Sequence, residues 1–162
     1  MKRPAATAGS VLFEPAFEAA LRRLFEERIP FNRVIGLRID RLAVDGVEGS
    51  LEMRPELIGH SGHQRLHGGV ISAALDSMAG LAIMVAIGAR HMDETPAERV
   101  QRFAKLGTID LRVDYLRPAV GERFTIDAEV LRLGSRVAST RMSFRDDAGE
   151  LLASGAAAYI VS

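Results

Sequence analysis

One acidic residue stands alone in a long apolar segment of the chain. Between His67 and Arg90, Asp76 is the only charged residue, and most of its neighbours are Val, Ile, Leu, Met or Ala. Apolar residues occur on every side of a helical wheel drawn over this segment, which predicts a helix buried all round. Burying a lone carboxylate costs several kcal/mol unless it is paired or hydrogen-bonded. Asp76 is therefore a candidate for chemistry, as a general base on water or as a nucleophile.

Two glycines stand at the start of this helix. Gly68 and Gly69 put backbone N–H groups at the predicted N-terminus, where such groups can hold a developing oxyanion. Glycine has no side chain, so a substrate carbonyl can come close. Gly69, Ser72, Asp76 and Gly80 recur at intervals of three, four and four residues and form one small, partly polar stripe. A flat acyl chain or thioester fits along such a stripe, which favours chemistry at an acyl carbonyl.

Other interpretations of these residues remain open. Asp76 is also compatible with capping a neighbouring loop or pairing with an arginine across an interface, and the small stripe with close helix packing. His60 and His63, together with His67 and Asp76, invite comparison with a metal site. A helical ligand spacing such as H-x-x-x-H is missing from the sequence, so we expect no bound metal.

Composition limits the classes of function. The chain has 162 residues, of which 48% are hydrophobic, enough for one domain with a core. Basic and acidic residues balance at 21 each, so net charge favours neither nucleic acid nor an anionic membrane as partner. Lys2 and Lys105 are the only lysines; the many arginines suit phosphate contacts, although a GC-rich genome produces the same bias. The absence of cysteine excludes disulfides, thiol nucleophiles and zinc–thiolate sites.

The N-terminal residues carry positive charge, but no hydrophobic stretch of signal-peptide length follows them. The longest apolar run, residues 79–89, is too short to cross a bilayer. We therefore expect a soluble, cytoplasmic protein, with a disordered tail over residues 1–11 and a single domain over residues 12–162.

The N-terminal part of the domain predicts one helix followed by a hairpin. Pro15 opens the helix at its first position, and residues 29–31 end it. The apolar period then changes from helical to two, which predicts strands over residues 37–39 and 47–53. We expect residues 55–66 to form an irregular loop that leads into the central helix.

The second half of the chain predicts a short inserted helix and four strands. Residues 95–98 have the pattern of a capping box, and Gly107 closes the short helix, which serves either as a cover beside the central helix or as a simple connector. Strands are predicted by period-two alternation over residues 109–115, 123–130, 138–144 and 151–161.

This order of elements predicts an α+β hotdog fold. A helix buried on all sides in a protein with one sheet must be wrapped by that sheet, so we expect a curved antiparallel β-sheet around a long central helix, with an N-terminal helix and a short inserted helix. Such a sheet leaves strand edges exposed, which favours pairing of two subunits.

The segment 66–76, Leu-His-Gly-Gly-Val-Ile-Ser-Ala-Ala-Leu-Asp, resembles the His-Gly-Gly signature of hotdog-fold acyl-CoA thioesterases of the phenylacetate-degradation type. The similarity continues through residues 107–118 and includes residues 29–37 near the start of the chain. Within that family the chain is most similar to bacterial medium- and long-chain acyl-CoA thioesterases, which have an inserted helix after the central one. The resemblance covers residues 16–161.

The resemblance implies a role for each residue of the motif. Asp76 matches the catalytic acid that activates water or attacks the thioester. Gly68 matches the glycine whose N–H polarises the thioester carbonyl, with His67 fixing that turn. Thr108 matches a hydroxyl that holds the attacking water. The acid and the hydroxyl belong to one subunit and the glycine to the other, so a homodimer, alone or within a homotetramer, is the catalytic unit.

The resemblance also implies contacts to the pantetheine and phosphates of CoA. They fall on Arg117-Pro118 and Gly134-Ser135-Arg136, and arginine suits phosphate.

One position departs from the family pattern. Many members have an asparagine six or seven residues before the motif histidine, where this chain has His60 and Ser61. Either His60 donates the same hydrogen bond, which would make activity sensitive to its protonation, or the loop is re-routed and Gly68 acts alone.

Taken together, the residues and the resemblance predict hydrolysis of an acyl-CoA to free acid and CoA, without metal or organic cofactor, and the resemblance implies a medium- or long-chain acyl group. The expected partners are the small-molecule acyl-CoA and a second copy of the chain, with neither nucleic acid nor membrane. The acyl end should be apolar, because the helix residues Met78, Leu81, Ile83 and Met84 offer it no charge. The alternatives are a hotdog dehydratase or hydratase, which needs a catalytic histidine paired with an acid, and a non-catalytic acyl-CoA-binding or sensor protein.

Overall fold

The N-terminal segment folds into three consecutive helical pieces in the computed structural model, which describes residues 13–162. Helix α1 (Pro15–Arg22) begins at its proline as predicted, a π-helical turn follows at Arg23–Arg28, and α2 spans Pro30–Ile35. The predicted end of the first helix at residues 29–31 is confirmed, since Ile29 is extended, with φ −89° and ψ 105°, but α2 was not predicted. Pro30 takes the first position of this second helix, where proline is favoured. The predicted disordered tail at residues 1–11 lies outside the described residues.

The widened turn between α1 and α2 is held by a buried amide. Asn32 is 1% exposed, and its Nδ2 donates to the Phe25 carbonyl at 2.9 Å. Its Oδ1 accepts a hydrogen bond from the Ser77 hydroxyl on the central helix at 2.8 Å. One side chain therefore ties the π-helical turn to the helix that carries the candidate catalytic acid.

Residues 13–162 contain eight strands. In chain order they are β1 (Arg38–Ala43), β2 (Gly46–Glu52), β3 (Ile58–His60), β4 (Arg65–Leu66), β5 (Gly107–Tyr115), β6 (Arg123–Leu133), β7 (Val137–Asp146) and β8 (Leu151–Ile160). Six of them make one antiparallel sheet in the order β1-β2-β6-β7-β8-β5, so β1 and β5 are its edges. The other two, β3 and β4, pair with each other in the segment predicted to be an irregular loop.

The central helix α3 (Gly68–Arg90) packs against all six strands of the large sheet. This arrangement confirms the predicted α+β hotdog architecture. With 23 residues, α3 is long and apolar enough to cross a membrane by length and composition, which corrects the estimate from residues 79–89, but most of its apolar stretch is buried inside the protein. The prediction of burial all round is wrong in part, chiefly on the face of Asp76, where Gly69 is exposed and Ser72, Asp76 and Ser77 are only half-buried.

The inserted helix α4 (Pro96–Gln101) begins with the predicted capping box between Thr95 and Glu98. Arg99 attaches the insert to α1: it is completely buried, its guanidinium lies 4.1 Å from the centroid of the Phe17 ring, and it forms an ion pair with Glu14. The chain then passes through a 3-10 turn at Arg102–Lys105 and enters β5. The insert, predicted to be either a cover or a simple connector, is thus attached to α1 through Arg99.

Candidate active site

The His-Gly-Gly turn is closed by its own histidine. His67 is the N-cap of α3, with φ −66° and ψ 133°, and its Nδ1 accepts a hydrogen bond from the Gly69 N–H at 2.8 Å. A neutral ring that accepts at Nδ1 has its proton on Nε2. The Gly69 amide, predicted to be free for a substrate, is therefore engaged. Within residues 13–162, the Gly68 N–H donates to no protein acceptor and is the amide available at this helix start.

A tyrosine that the sequence analysis did not single out fixes the other side of Gly68. The Tyr115 hydroxyl donates to the Gly68 carbonyl at 2.9 Å. A Cβ added at Gly68 would lie 3.4 Å from the Tyr115 ring, so the glycine lies against its face. Upstream, the His67 N–H donates to the Leu57 carbonyl at 2.8 Å, which holds the turn against the short β3–β4 ladder. The free amide thus projects from a turn that is held at several points.

Asp76 is hydrogen-bonded rather than unpaired. Its Oδ1 accepts from the Thr108 hydroxyl at 3.0 Å and lies 2.7 Å from the Tyr159 hydroxyl. The Asp76 Oδ2 atom has no protein partner among the described residues, and no arginine or lysine of residues 13–162 forms an ion pair with Asp76. One carboxylate oxygen is thereby held and the other is left free to react.

Sheet pairing explains why Thr108 and Tyr159 meet at this carboxylate. The two residues are directly opposite each other in the β5–β8 ladder, and an irregularity in the register follows Thr108 immediately. Such irregularities re-aim a side chain relative to its strand. Tyr159 is 2% exposed, and burial, reinforced by the hydrogen bond to Asp76, raises its pKa well above the usual value of tyrosine. It is therefore a donor to the carboxylate throughout the ordinary pH range.

A cavity of about 210 Å³ opens beside the Asp76 carboxylate. Its apolar wall comes from Phe25 in the π-helical turn, from Ile29, and from Phe103 and Leu106 at the end of the insert. Gly80 completes the surface on α3, where the lack of a side chain leaves room. The rings of Phe25 and Phe103 meet edge to face, with centroids 5.6 Å apart, and form part of that wall.

The residues predicted to meet the acyl group do not line this cavity. Met78, Leu81, Ile83 and Met84 are completely buried in the core of the domain. A helix that is apolar on every side gives no indication of which face meets a ligand, so the error follows from the pattern itself. Ser72 is half-buried, and its hydroxyl turns back to donate to the Gly69 carbonyl at 3.1 Å.

The predicted CoA contacts lie at opposite ends of one strand. Arg117-Pro118 follows the end of β5, and the exposed Arg117 pairs with Glu150 at 2.7 Å. The β6–β7 turn lies near the start of β5, where Gly134 and Ser135 border a second cavity, of about 240 Å³, and Arg136 is exposed. A nine-residue strand is about 30 Å long, so a single chain does not bring the two groups together.

His60 is exposed on β3, and its ring stacks on that of His63 with centroids 4.8 Å apart. Among the described residues it makes no hydrogen bond to the His-Gly-Gly turn. Residues 13–162 contain no cluster of three or more His, Asp or Glu side chains able to hold a metal ion.

Comparison with known proteins relates this chain to a family. Residues 63–153 match the sequence model of the thioesterase superfamily. The medium/long-chain acyl-CoA thioesterase YigI of Escherichia coli strain K12 is 39% identical over 138 residues, which cover 85% of this chain and 89% of that protein.

Comparison with solved structures points to the same family. A Shewanella oneidensis protein related to the thioesterase superfamily superposes with a TM-score of 0.84 at 40% identity, covering 93% of this chain and all of that one. A thioesterase family protein of Silicibacter pomeroyi gives a TM-score of 0.69 at 26% identity, covering 89% and 96% of the two chains. With its fold, its helix-start glycine and its match to the family over more than half its length, this chain belongs to the thioesterase superfamily.

Proposed function

We propose that this protein hydrolyses acyl-CoA thioesters to a free carboxylic acid and CoA. The observation that carries the proposal is the Asp76 carboxylate, held through Oδ1 and free at Oδ2, beside an apolar cavity. As a general base, Oδ2 takes a proton from water while the water oxygen attacks the thioester carbon. The C–S bond then breaks, and the proton passes from Asp76 to the thiolate of CoA. No metal or organic cofactor is needed for these steps, and we place the reaction in the cytoplasm.

The spacing of Gly68 and Asp76 implies that the working site contains two chains. Eight helical residues separate them, a rise of about 12 Å. A base and an oxyanion donor must each lie about 3 Å from the group they act on. The two residues of one α3 are therefore too far apart to act on one carbonyl. The Gly68 amide that polarises the thioester must come from the partner subunit.

Pairing through the edge strand β5 supplies that partner. β5 is an unpaired edge in the monomer, and Ile109 on it is 58% exposed. A two-fold axis through the middle of β5 pairs it antiparallel with its copy and places the start of each strand against the end of the other. Thr108 and Asp76, near the start of β5 in one subunit, then face Gly68 and Tyr115 of the partner subunit, which lie near the end of its β5.

The same two-fold arrangement brings together the two groups of residues that are proposed to contact CoA. Gly134-Ser135-Arg136 belongs to the Thr108 end of β5 and Arg117-Pro118 to the Gly68 end, so the two groups approach one another only across the dimer. Arg136 and Arg117 are both exposed and suited to phosphate. We propose that they bind the phosphates of CoA from the two subunits.

We propose that the acyl chain enters the cavity beside Asp76. Among the residues that line it, only Asp76 and Tyr159 ionise, and the rest of the wall is largely apolar, which suits a medium or long alkyl chain. The Phe25–Phe103 pair then sets the accepted chain length, because a longer chain has to displace these rings.

A complementation experiment tests the two-chain site. Asp76→Asn removes the base, and Gly68→Pro removes one N–H at a helix position where proline is favoured. His67, at φ −66° and ψ 133°, already has the backbone conformation required before a proline. Each variant alone is expected to be inactive in thiol release from a panel of acyl-CoAs, at least 10²-fold below the wild type for Asp76→Asn.

Mixed dimers of the two variants have one intact site and one doubly damaged site. Co-refolding or co-expression is therefore expected to restore turnover that neither parent shows. If the mixed dimers stay inactive while both parents fold and dimerise, the two-chain site is refuted. Binding of acyl-CoA by the wild type without turnover of any chain length would refute hydrolysis itself.

A further inference from the structure

We propose that Tyr159 is a positioning residue that holds the Asp76 carboxylate with Oδ2 turned toward the reacting atoms. The proposal rests on the hydrolytic function proposed above and adds a residue to it. Tyr159 is not part of the His-Gly-Gly motif, lies 83 residues from Asp76 in the chain, and reaches it from the last strand of the sheet.

The Tyr159 hydroxyl contacts Asp76 at two points. It lies 2.7 Å from Oδ1 and 2.9 Å from the main-chain carbonyl oxygen of the same residue. A hydroxyl has one proton, and the shorter contact, to a charged acceptor, is the stronger hydrogen bond. Because the phenol ring is 2% exposed and its strand is paired on both sides, the hydroxyl is a fixed point on the sheet. Rotation of the Asp76 side chain about χ1 would break this bond and the one from Thr108 together.

The Thr108 and Tyr159 hydroxyls both contact Oδ1 of Asp76, which leaves Oδ2 as the oxygen that can act as the base. With Thr108 and Tyr159 on Oδ1, Oδ2 has no protein donor among the described residues, and Asp76 lines the cavity. A Thr108 hydroxyl that already donates to Asp76 can only accept from a water. Tyr159 therefore provides a second hydrogen bond that orients the carboxylate. The orientation does not depend on Thr108 alone, whose hydroxyl oxygen also accepts a hydrogen bond from the attacking water.

Tyr159 is a poor candidate for the acid that protonates the leaving thiolate. Burial and the hydrogen bond to Asp76 raise its pKa, so it keeps its proton where a catalytic acid has to release one. Its role is to hold the carboxylate in place through the short contact with Oδ1. Among residues 13–162, Asp76 and Tyr159 are the only ionisable groups that line this cavity, while Arg102 and Lys105 border the separate cavity at the β6–β7 turn.

Tyr159→Phe tests the proposal through the pH dependence of thioester hydrolysis. Losing a hydrogen bond to a charged group is expected to raise the acid-limb pKa of kcat/KM by about one unit and to lower kcat about tenfold, with KM little changed. Tyr115→Phe is the matched control, because the chain has two tyrosines and the Tyr115 hydroxyl contacts Gly68 instead. Its acid limb should coincide with that of the wild type.

A second measurement covers the case in which Tyr159→Phe does not fold. In the Tyr115→Phe background, biosynthetic incorporation of 3-fluorotyrosine places a more acidic phenol at Tyr159 alone without changing its shape. A stronger donor should move the acid limb to lower pH. If the acid limb moves in neither protein while hydrolysis continues, the positioning role is wrong. If the wild type hydrolyses no acyl-CoA, the proposed function fails instead, and the two failures are distinct.

Discussion

Gly80 and Gly88 lie about two turns apart in α3, both buried, and a methyl group added to each meets different surroundings. At Gly80 a Cβ would lie 3.5 Å from Leu106 Cδ2 and 3.9 Å from Phe25 Cε1, which are ordinary van der Waals contacts. At Gly88 it would lie 2.4 Å from Phe17 Cζ and 2.6 Å from Phe17 Cε1, so the Phe17 ring would have to move.

Phe17 has little space to move. Its ring is fully buried, the Arg99 guanidinium lies 4.1 Å from its centroid, and the Phe13 ring lies 5.2 Å away. Replacing a helix-interior glycine by alanine gains about 1 kcal/mol of stability. Gly80→Ala should keep that gain, whereas overpacking by about 1–3 kcal/mol should turn Gly88→Ala into a net loss of about 1 kcal/mol. The two variants should therefore differ by about 2 kcal/mol, or about 6 °C in Tm.

Denaturant and thermal unfolding measure this difference, and acyl-CoA kinetics give a second, independent comparison. The Gly80 methyl enters the cavity beside Asp76, so kcat/KM for the longest accepted chain should fall about tenfold relative to a short chain. Gly88→Ala should leave that ratio unchanged, because Gly88 does not line the cavity. If Gly80→Ala proves less stable than Gly88→Ala, the packing argument is refuted. An unchanged chain-length ratio in Gly80→Ala would refute the acyl cavity.

Two further predictions concern the insert and alkaline pH. Thr95→Ala removes the hydroxyl that accepts from the Glu98 N–H and donates to the Glu98 carboxylate, and it leaves the bond from the Thr95 N–H to that carboxylate. The loss should cost about 1 kcal/mol locally, seen as faster hydrogen exchange over residues 96–101 in comparison with an exposed alanine variant outside that turn. Tyr159 keeps its proton in the folded state while an unfolded tyrosine loses it above about pH 10, so the free energy of unfolding should fall as pH rises past that value. Tyr159→Phe should show a smaller fall in denaturant titrations at pH 9–11 than Tyr115→Phe; an equal fall would contradict the assignment.

The elements that carry strong local signals could be predicted from the sequence. The capping box at Thr95, the proline start of α1 and the apolar helix after His67 each depend on neighbouring residues, and the structure confirms them. Pro30 was correctly taken as the end of the first helix, but the helix that begins there was missed, because proline marks both the end of one helix and the start of another.

Contacts between residues far apart in the chain, such as that of Tyr159 with Asp76, could not be predicted from the local sequence pattern. Tyr159 lies on the same buried face of β8 as Gly155 and Ala157, so its position in the alternating pattern is that of a core residue. One signal was present, since a buried phenol hydroxyl requires a partner and Tyr159 has the only hydroxyl among the fully buried residues of that strand. The engagement of the Gly69 amide by His67 is local, but histidine is not among the usual N-cap residues, so that signal was weak.

The π-helical turn at Arg23–Arg28 has a consequence for both the insert and the cavity. It accommodates one residue more than an α-helical turn would, and deleting that residue would rotate α1 by about 100° relative to Phe25. Either α1 would lose its contact with Arg99, or Phe25 would leave the cavity wall. Anchoring of the insert and the shape of the cavity therefore depend on the same turn, so that one inserted or deleted residue here should disturb a feature that a substitution at either place would leave intact.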